Sequence, residues 1–192
     1  MAELRLLVEL LDLNEISLRA LYIASARNIV ADHFSRIARR RDYMLEPELF
    51  AHVCASWGPF TVDAFASEAT RLLDRFWDEG RSPSAEAVDA FAQDWSEETV
   101  WAHPPPFLLP QLVQFLRAEP HGGTTVCVPA WPSTSWYPEL MHLSSEMLSL
   151  PPGSLRRVAF DAPAHLEGWG LTCFHVRRSS GAATLPDSLG TH

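Results

Sequence analysis

From Glu46 onward, short apolar runs alternate with segments whose apolar residues recur at helical spacing, and this alternation constrains the fold more than any other feature. Thr124 to Val128 is the clearest buried strand, an uncharged run between Gly122-Gly123 and Pro129. Phe60 to Phe65 is a second strand candidate ending near Asp63, and Thr99 to Ala102 is a third, stopped by Pro104-Pro105-Pro106. Between them, Glu46-Pro47 opens a helix carrying Leu49, Phe50, Val53 and Trp57, which Gly58 terminates. Ser84 is placed to cap a helix over Ala85 to Gln93, and Phe107 to Arg117 and Trp136 to Leu148 read as two more. After the turn Pro151-Pro152-Gly153, Arg156 to Phe160 and Leu171 to Arg178 form two closing strands. Such an order predicts an α/β domain of three layers, with a mostly parallel sheet and helices on its faces.

Ahead of it, Leu4, Leu7, Val8 and Leu11 share one helical face, Ile16 to Ile23 alternates as a strand, and Asn28 caps a short helix through Arg36. Arg39 to Asp42 is a polar hinge. The expected layout is a first unit over 1–38, a linker over 39–45, an α/β domain over 46–178 and a small, polar, disordered tail over 179–192. At 192 residues the chain can hold one ordinary core, or a domain plus part of another. Seven Trp and fifteen Pro argue for short elements joined by rigid, aromatic-packed loops and against a simple helical bundle.

A net charge of −9 argues against strong nonspecific binding to a phosphate backbone. Arg36, Arg39, Arg40 and Arg41, Arg156-Arg157 and Arg177-Arg178 are local exceptions, readable as a solvated linker and strand ends or as phosphate contacts. Cys54, Cys127 and Cys173 lack metal-ligand spacing and read as reduced, mostly buried thiols of an intracellular protein, cytoplasmic or nuclear. Leu4 to Leu13 is broken by Arg5, Glu9 and Asp12, so no membrane span is expected there. His165 and His175 have no partner at ligand spacing. Asp89 and Asp94, five residues apart on the expected helix, point in different directions, and no hydrolase elbow, phosphate-cradling loop or His-Glu-x-x-His is present.

The run YIASARNIVADHFSR, Tyr22 to Arg36, resembles the closing segment of the ribonuclease H domain linked to retroelement reverse transcriptases. Tyr22, Ile23, Asn28, Ala31, Asp32, Ser35 and Arg36 carry the match; Phe34 replaces a Leu, and Ala24-Ser25 a common Pro-Gly turn. That chemistry holds two divalent cations with four carboxylates. By this resemblance Asp32 is the last of the four, the other three fall before Met1, and Asp32 binds Mg²⁺ only if upstream carboxylates complete the set. Alone, Asp32 is an acid favouring its helix N-terminus.

Four further segments recur in order: Val62-Asp63-Ala64-Phe65-Ala66-Ser67; Asp89-Ala90-Phe91 with Asp94-Trp95; Ala102-His103-Pro104-Pro105-Pro106-Phe107; and Val128-Pro129-Ala130-Trp131-Pro132 with Trp136-Tyr137. Following the ribonuclease H-like tail, they resemble the region after reverse transcriptase and ribonuclease H in DIRS-type retrotransposons, which is similar to phage-type DNA N6-adenine methyltransferases. The resemblance implies S-adenosylmethionine near Asp63 and a flipped adenine stacked on Phe107, with Pro105 and Pro106 in the loop whose carbonyl accepts from the amine. The family has an Asn, Asp or Ser acceptor before Pro-Pro-aromatic; here that residue is Pro104, and the shifted frame places His103 there but Pro106 at the aromatic position. An amine left without its acceptor loses about 1–3 kcal/mol.

Read from the residues alone, Asp63 is a cofactor contact or a loop-capping carboxylate, and Phe107 a stacking platform or a core residue at a helix start. Trp131, Trp136 and Tyr137 are packing aromatics or a nucleic-acid surface. The expected function is that of a retrotransposon polyprotein segment without enzymatic activity or bound cofactor, its ancestral partners being the element's RNA and DNA. The alternatives are an S-adenosylmethionine-dependent DNA adenine methyltransferase with an altered motif, and a noncatalytic module that binds other element proteins.

Overall fold

The computed structural model describes residues 43–78, 82–158 and 168–177, all within the second of two units into which the chain divides, Ile37–His192. The readings for residues 1–42, Asp32 among them, and for Phe160, His165, Arg178 and the tail from Ser179 lie outside the described residues.

The described chain is mixed α/β. Val62–Asp63 (β2), Val100–Ala102 (β3), Thr124–Pro129 (β4), Glu146–Leu150 (β5) and Leu171–Val176 (β7) form one sheet in the order β2-β3-β4-β7-β5. β2, β3 and β4 are parallel neighbours; β7 runs against both β4 and β5, so β5 shares the direction of the parallel three. Tyr43–Leu45 (β1) and Leu155–Arg157 (β6) make a separate antiparallel pair. The helices are Pro47–Trp57 (α1), Leu109–Ala118 (α2) and Trp136–Leu143 (α3).

Strand alternation builds two cores, because successive side chains point to opposite faces. Val100, Ala102, Val126, Val128, Phe174 and Val176 face α2 and α3, whose Leu109, Leu112, Val113, Leu116 and Leu140 pack on them. Trp101, Cys127, Leu171 and Cys173 face the other way, against Phe50 and Val53 of α1 and Leu45 and Leu155 of the β1–β6 pair. Two apolar stripes thus meet one sheet from opposite sides.

Local chemistry explains the boundaries. Pro47 and Pro110 occupy first-turn positions, where the missing N–H is no loss. Between α2 and β4, Gly123 has φ +123° and its carbonyl accepts from Val100 N–H at 2.8 Å. Beside it, Gly122 runs so close to the 95–98 turn that a Cβ would lie 2.3 Å from the Glu98 carbonyl oxygen. Gly153, at φ +88°, turns the chain between β5 and β6.

Four expectations need correction. The sheet is mixed rather than mostly parallel: β2–β3 and β3–β4 are parallel, but β7 inserts antiparallel between β4 and β5, so two of the four pairings are antiparallel. Ala85 to Gln93 is not a helix: Glu86 N–H donates to Phe76 O and Asp78 N–H to Ala87 O, each at 3.0 Å, drawing this segment along the β2 side of the sheet. Only a 3₁₀ turn remains, Ala90–Ala92, capped by Asp89 at φ +59° through its carboxylate and Phe91 N–H. The helix from Trp136 stops at Leu143, where the Ser144 hydroxyl bonds back to Met141 O at 3.0 Å and Ser145 N–H reaches His175 O at 2.9 Å. Residues 146–150 are then the edge strand β5. Tyr43–Leu45, in the expected linker, is strand β1, paired with β6.

Candidate functional site

Because β2, β3 and β4 are adjacent and parallel, the segments that follow them leave the same edge of the sheet, where open α/β sheets place their ligands. These are Ala64 to Ser67, His103 to Phe107 and Ala130 to Pro132, three of the four segments singled out in the sequence.

Asp63 ends β2 and is only 3% exposed. Its Oδ2 accepts from Leu72 N–H at 3.1 Å, while its backbone N–H donates to Arg75 O and its carbonyl accepts from Trp77 N–H, both at 3.0 Å. The loop between β2 and Trp77 is closed onto this residue through both backbone and side chain. Loop capping, one of the two roles open to Asp63, is what these bonds do.

After β3, Pro104 is buried and Pro105 starts the 3₁₀ turn Pro106–Leu108, with Leu108 N–H donating to Pro105 O at 3.0 Å. Phe107 sits on its outer side and is 49% exposed, so it is not the core residue that a helix start would make it; Leu109, wholly buried, fills that place. His103 keeps some accessible surface, yet protein crowds the ring, and burial pushes its pKa down to about 4. It is therefore a neutral imidazole at pH 7, with one ring nitrogen able to accept a hydrogen bond.

After β4, Ala130 N–H donates to Gly170 O at 2.9 Å, and Trp131 meets Trp169 edge-on at 4.8 Å and Trp136 at 6.3 Å. Trp136 is buried, and the Tyr137 ring packs edge-on against Phe174 while its hydroxyl bonds Thr172 Oγ1 at 2.8 Å. Trp136 and Tyr137 are packing aromatics that tie α3 to β7. Trp169 completes the group; no periodic pattern around it marks it in the sequence.

The opposite edge is pinned by charge. Arg75 reaches Glu86 through Nε at 2.7 Å and Nη2 at 2.8 Å, and Glu98 through Nη2 at 2.7 Å and Nη1 at 3.0 Å. Thr61, just before β2, donates its hydroxyl to Glu98, just before β3. Bonding to Arg75 holds both carboxyl groups below the usual range, against the opposing effect of burial. This cluster was invisible in the sequence, since Arg75 lies 11 residues from Glu86 and 23 from Glu98. Asp89 and Asp94 are not a pair either: each accepts from a backbone N–H two residues on.

Among the described residues, no three His, Cys, Asp or Glu side chains converge in a way that could hold a metal ion, and no helix is long and apolar enough to cross a membrane. No protein-family model matches the chain, and no curated protein matches it. Chemically, the carboxyl edge offers an exposed aromatic face, a neutral imidazole and backbone carbonyls, a set suited to a flat, amine-bearing ring.

Proposed function

We propose that residues 43–177 are a methyltransferase-like domain of a DIRS-type retroelement polyprotein, with the ribonuclease H-like segment Tyr22–Arg36 ahead of it, and that the domain does not transfer methyl groups efficiently. The observation that carries the reading is the common departure of the Asp63, His103–Phe107 and Trp131 segments from one edge of adjacent parallel strands. Two features argue for weak chemistry. Pro104, before Pro-Pro-Phe, has no side-chain acceptor, and an unpaired amine there costs about 1–3 kcal/mol. The Asp63 carboxylate is engaged by Leu72 N–H and holds its own loop, so it fits a loop anchor better than a ligand for S-adenosylmethionine. The ancestral partners on this reading are the RNA and DNA of the element.

A second reading, an active DNA adenine methyltransferase with an altered motif, is favoured by one observation: His103 is neutral and Phe107 half-exposed in the loop leaving β3. In that case S-adenosylmethionine would supply the methyl group, Phe107 would stack on the flipped base and His103 would accept from its amine. Calorimetric titration with S-adenosylmethionine, together with labelled-methyl incorporation into adenine-containing DNA, separates the two. No incorporation by the folded chain supports the first reading. Incorporation abolished by Phe107→Ala, with the fold intact by circular dichroism, establishes the second. Loss of binding in Asp63→Ala alone is not diagnostic, because that change also releases Leu72; Asp63→Asn keeps an acceptor and is the better probe.

A further inference from the structure

The described core that faces α1 contains all three cysteines of the chain, and two of them are paired by the sheet. Cys127 on β4 and Cys173 on β7 are direct partners in antiparallel register, both 0% exposed and both free. Directly opposed residues in an antiparallel pair have Cα atoms about 4.5–5.5 Å apart, inside the range of about 4.4–6.8 Å that a disulfide spans. Both side chains project to the same face of the sheet, into one buried apolar core. Cys54, on α1, packs at the border of this core and is partly accessible.

We propose that Cys127 and Cys173 are a redox pair that closes to a cross-strand disulfide fastening β7 to the parallel half of the sheet. The oxidant is a small disulfide such as oxidised glutathione. One cysteine loses its proton and attacks a sulfur of the oxidant, expelling one small thiolate. The second cysteine then loses its proton and attacks the mixed disulfide, expelling the other. The Cys127–Cys173 bond forms, the oxidant's sulfur–sulfur bond breaks, and the two electrons and two protons leave as two small thiols.

Location sets the kinetics. Leu45, Phe50, Val53, Trp101, Leu150 and Leu171 share the buried core with the pair, and the adjacent Cys173 thiol, together with burial, pushes the Cys127 thiol above its usual range. Few molecules carry a Cys127 thiolate at any moment, and no oxidant reaches the buried pair until α1 lifts from the sheet. The same cover excludes reductants from the closed bond. The pair is thus a slow, long-lived record of oxidising conditions rather than a fast sensor.

The test is to oxidise the full chain with oxidised glutathione in urea kept below the unfolding transition, then to block remaining thiols, digest without reduction and identify linked peptides by mass. A peptide joining Cys127 to Cys173 is expected. It should form faster as sub-denaturing urea is raised, persist in Cys54→Ser, and be absent in Cys127→Ala and Cys173→Ala. The oxidised chain should melt about 5–15 °C higher than the reduced one. Both thiols recovered unlinked from the folded wild-type chain, or adducts and intermolecular links at Cys54 in their place, would overturn the proposal. The wild-type peptide map decides the matter even if a cysteine variant does not fold.

Discussion

Trp57 lies nearly flat against His175, with ring centroids 5.2 Å apart and planes inclined by 14°. The indole N–H donates to Glu146 Oε2 at 3.1 Å, and His175 Nδ1 is 3.1 Å from Thr125 Oγ1. One residue at the end of α1 therefore clamps the helix to β5 and β7 by stacking and by a hydrogen bond at once. Trp57→Ala should lower stability by about 2 kcal/mol, less than for a fully buried Trp because the side chain is only partly covered. Trp57→Phe should restore the stacking share alone. Urea denaturation of the three proteins measures the split.

Acid should weaken the fold in two stages. Burial lowers the pKa of His103, to about 4, and those of His121 and His175. A lowered histidine pKa means that the unfolded chain binds more protons, so this contribution is complete above about pH 6.5 and is lost as pH falls toward the folded value. For His103 alone the fall from the ordinary imidazole value of 6.5 to about 4 is worth roughly 3 kcal/mol at about 1.4 kcal/mol per unit. The carboxylates of Glu86 and Glu98 are also lowered, by Arg75; their contribution is present above about pH 4.5 and is lost below it. Denaturation midpoints recorded from about pH 7.5 to about pH 3 should hold above about pH 6.5 and fall below it, and His103→Gln should flatten the upper stage. An unchanged slope in that variant would contradict the assignment.

Gly122→Ala should be costly for a reason confined to backbone. The new methyl would lie 2.3 Å from Glu98 O and 3.0 Å from Glu98 N, where no flexible side chain can move aside. Relief requires shifting the turn that Gly122 N–H holds to Trp95 O at 2.7 Å. Overpacking of this kind costs about 1–3 kcal/mol, and thermal melting should show it. Gly168→Ala, where nothing lies within 4 Å of the added carbon, is the control and should be nearly silent.

Elements whose own residues decide them were legible in the sequence. α1 is opened by Pro47 and ends before Gly58, and β4 is an uncharged run behind two glycines; both stand within a residue of the expected bounds. β5 was hidden because Glu146 to Leu150 has the composition of a helix continuing from α3, and only its pairing with β7 makes it a strand. Ala85 to Gln93 departs from its sequence pattern for the same reason: its helical spacing loses to the bonds drawn by Phe76 and Asp78. At the candidate site, Asp63, His103 and Phe107 could be picked out as residue types. The burial of Asp63, the desolvation of His103 and the exposure of Phe107 are products of packing, which no local pattern encodes.

Phe107 and Trp95 make opposite predictions from similar chemistry. Trp95 is 1% exposed, its indole N–H donates to Ala90 O at 2.8 Å, and Phe65, Trp77 and Phe115 surround its ring. Trp95→Ala should therefore cost about 3–5 kcal/mol or unfold the chain. Phe107 is 49% exposed and is held by a 3₁₀ turn whose proline and backbone bonds do not depend on the ring. Phe107→Ala should leave stability within about 0.5 kcal/mol of wild type. An exposed aromatic that contributes so little to folding is free to be replaced without damage, which makes it the clean probe of whether the carboxyl edge binds a flat ring. If the edge does so, quenching of a fluorescent adenine analogue by the folded chain should disappear in Phe107→Ala while its melting curve is unchanged. Equal quenching by both proteins would move the stacking surface elsewhere, and the Trp131–Trp169 pair, beyond the end of β4, is the next aromatic surface to substitute.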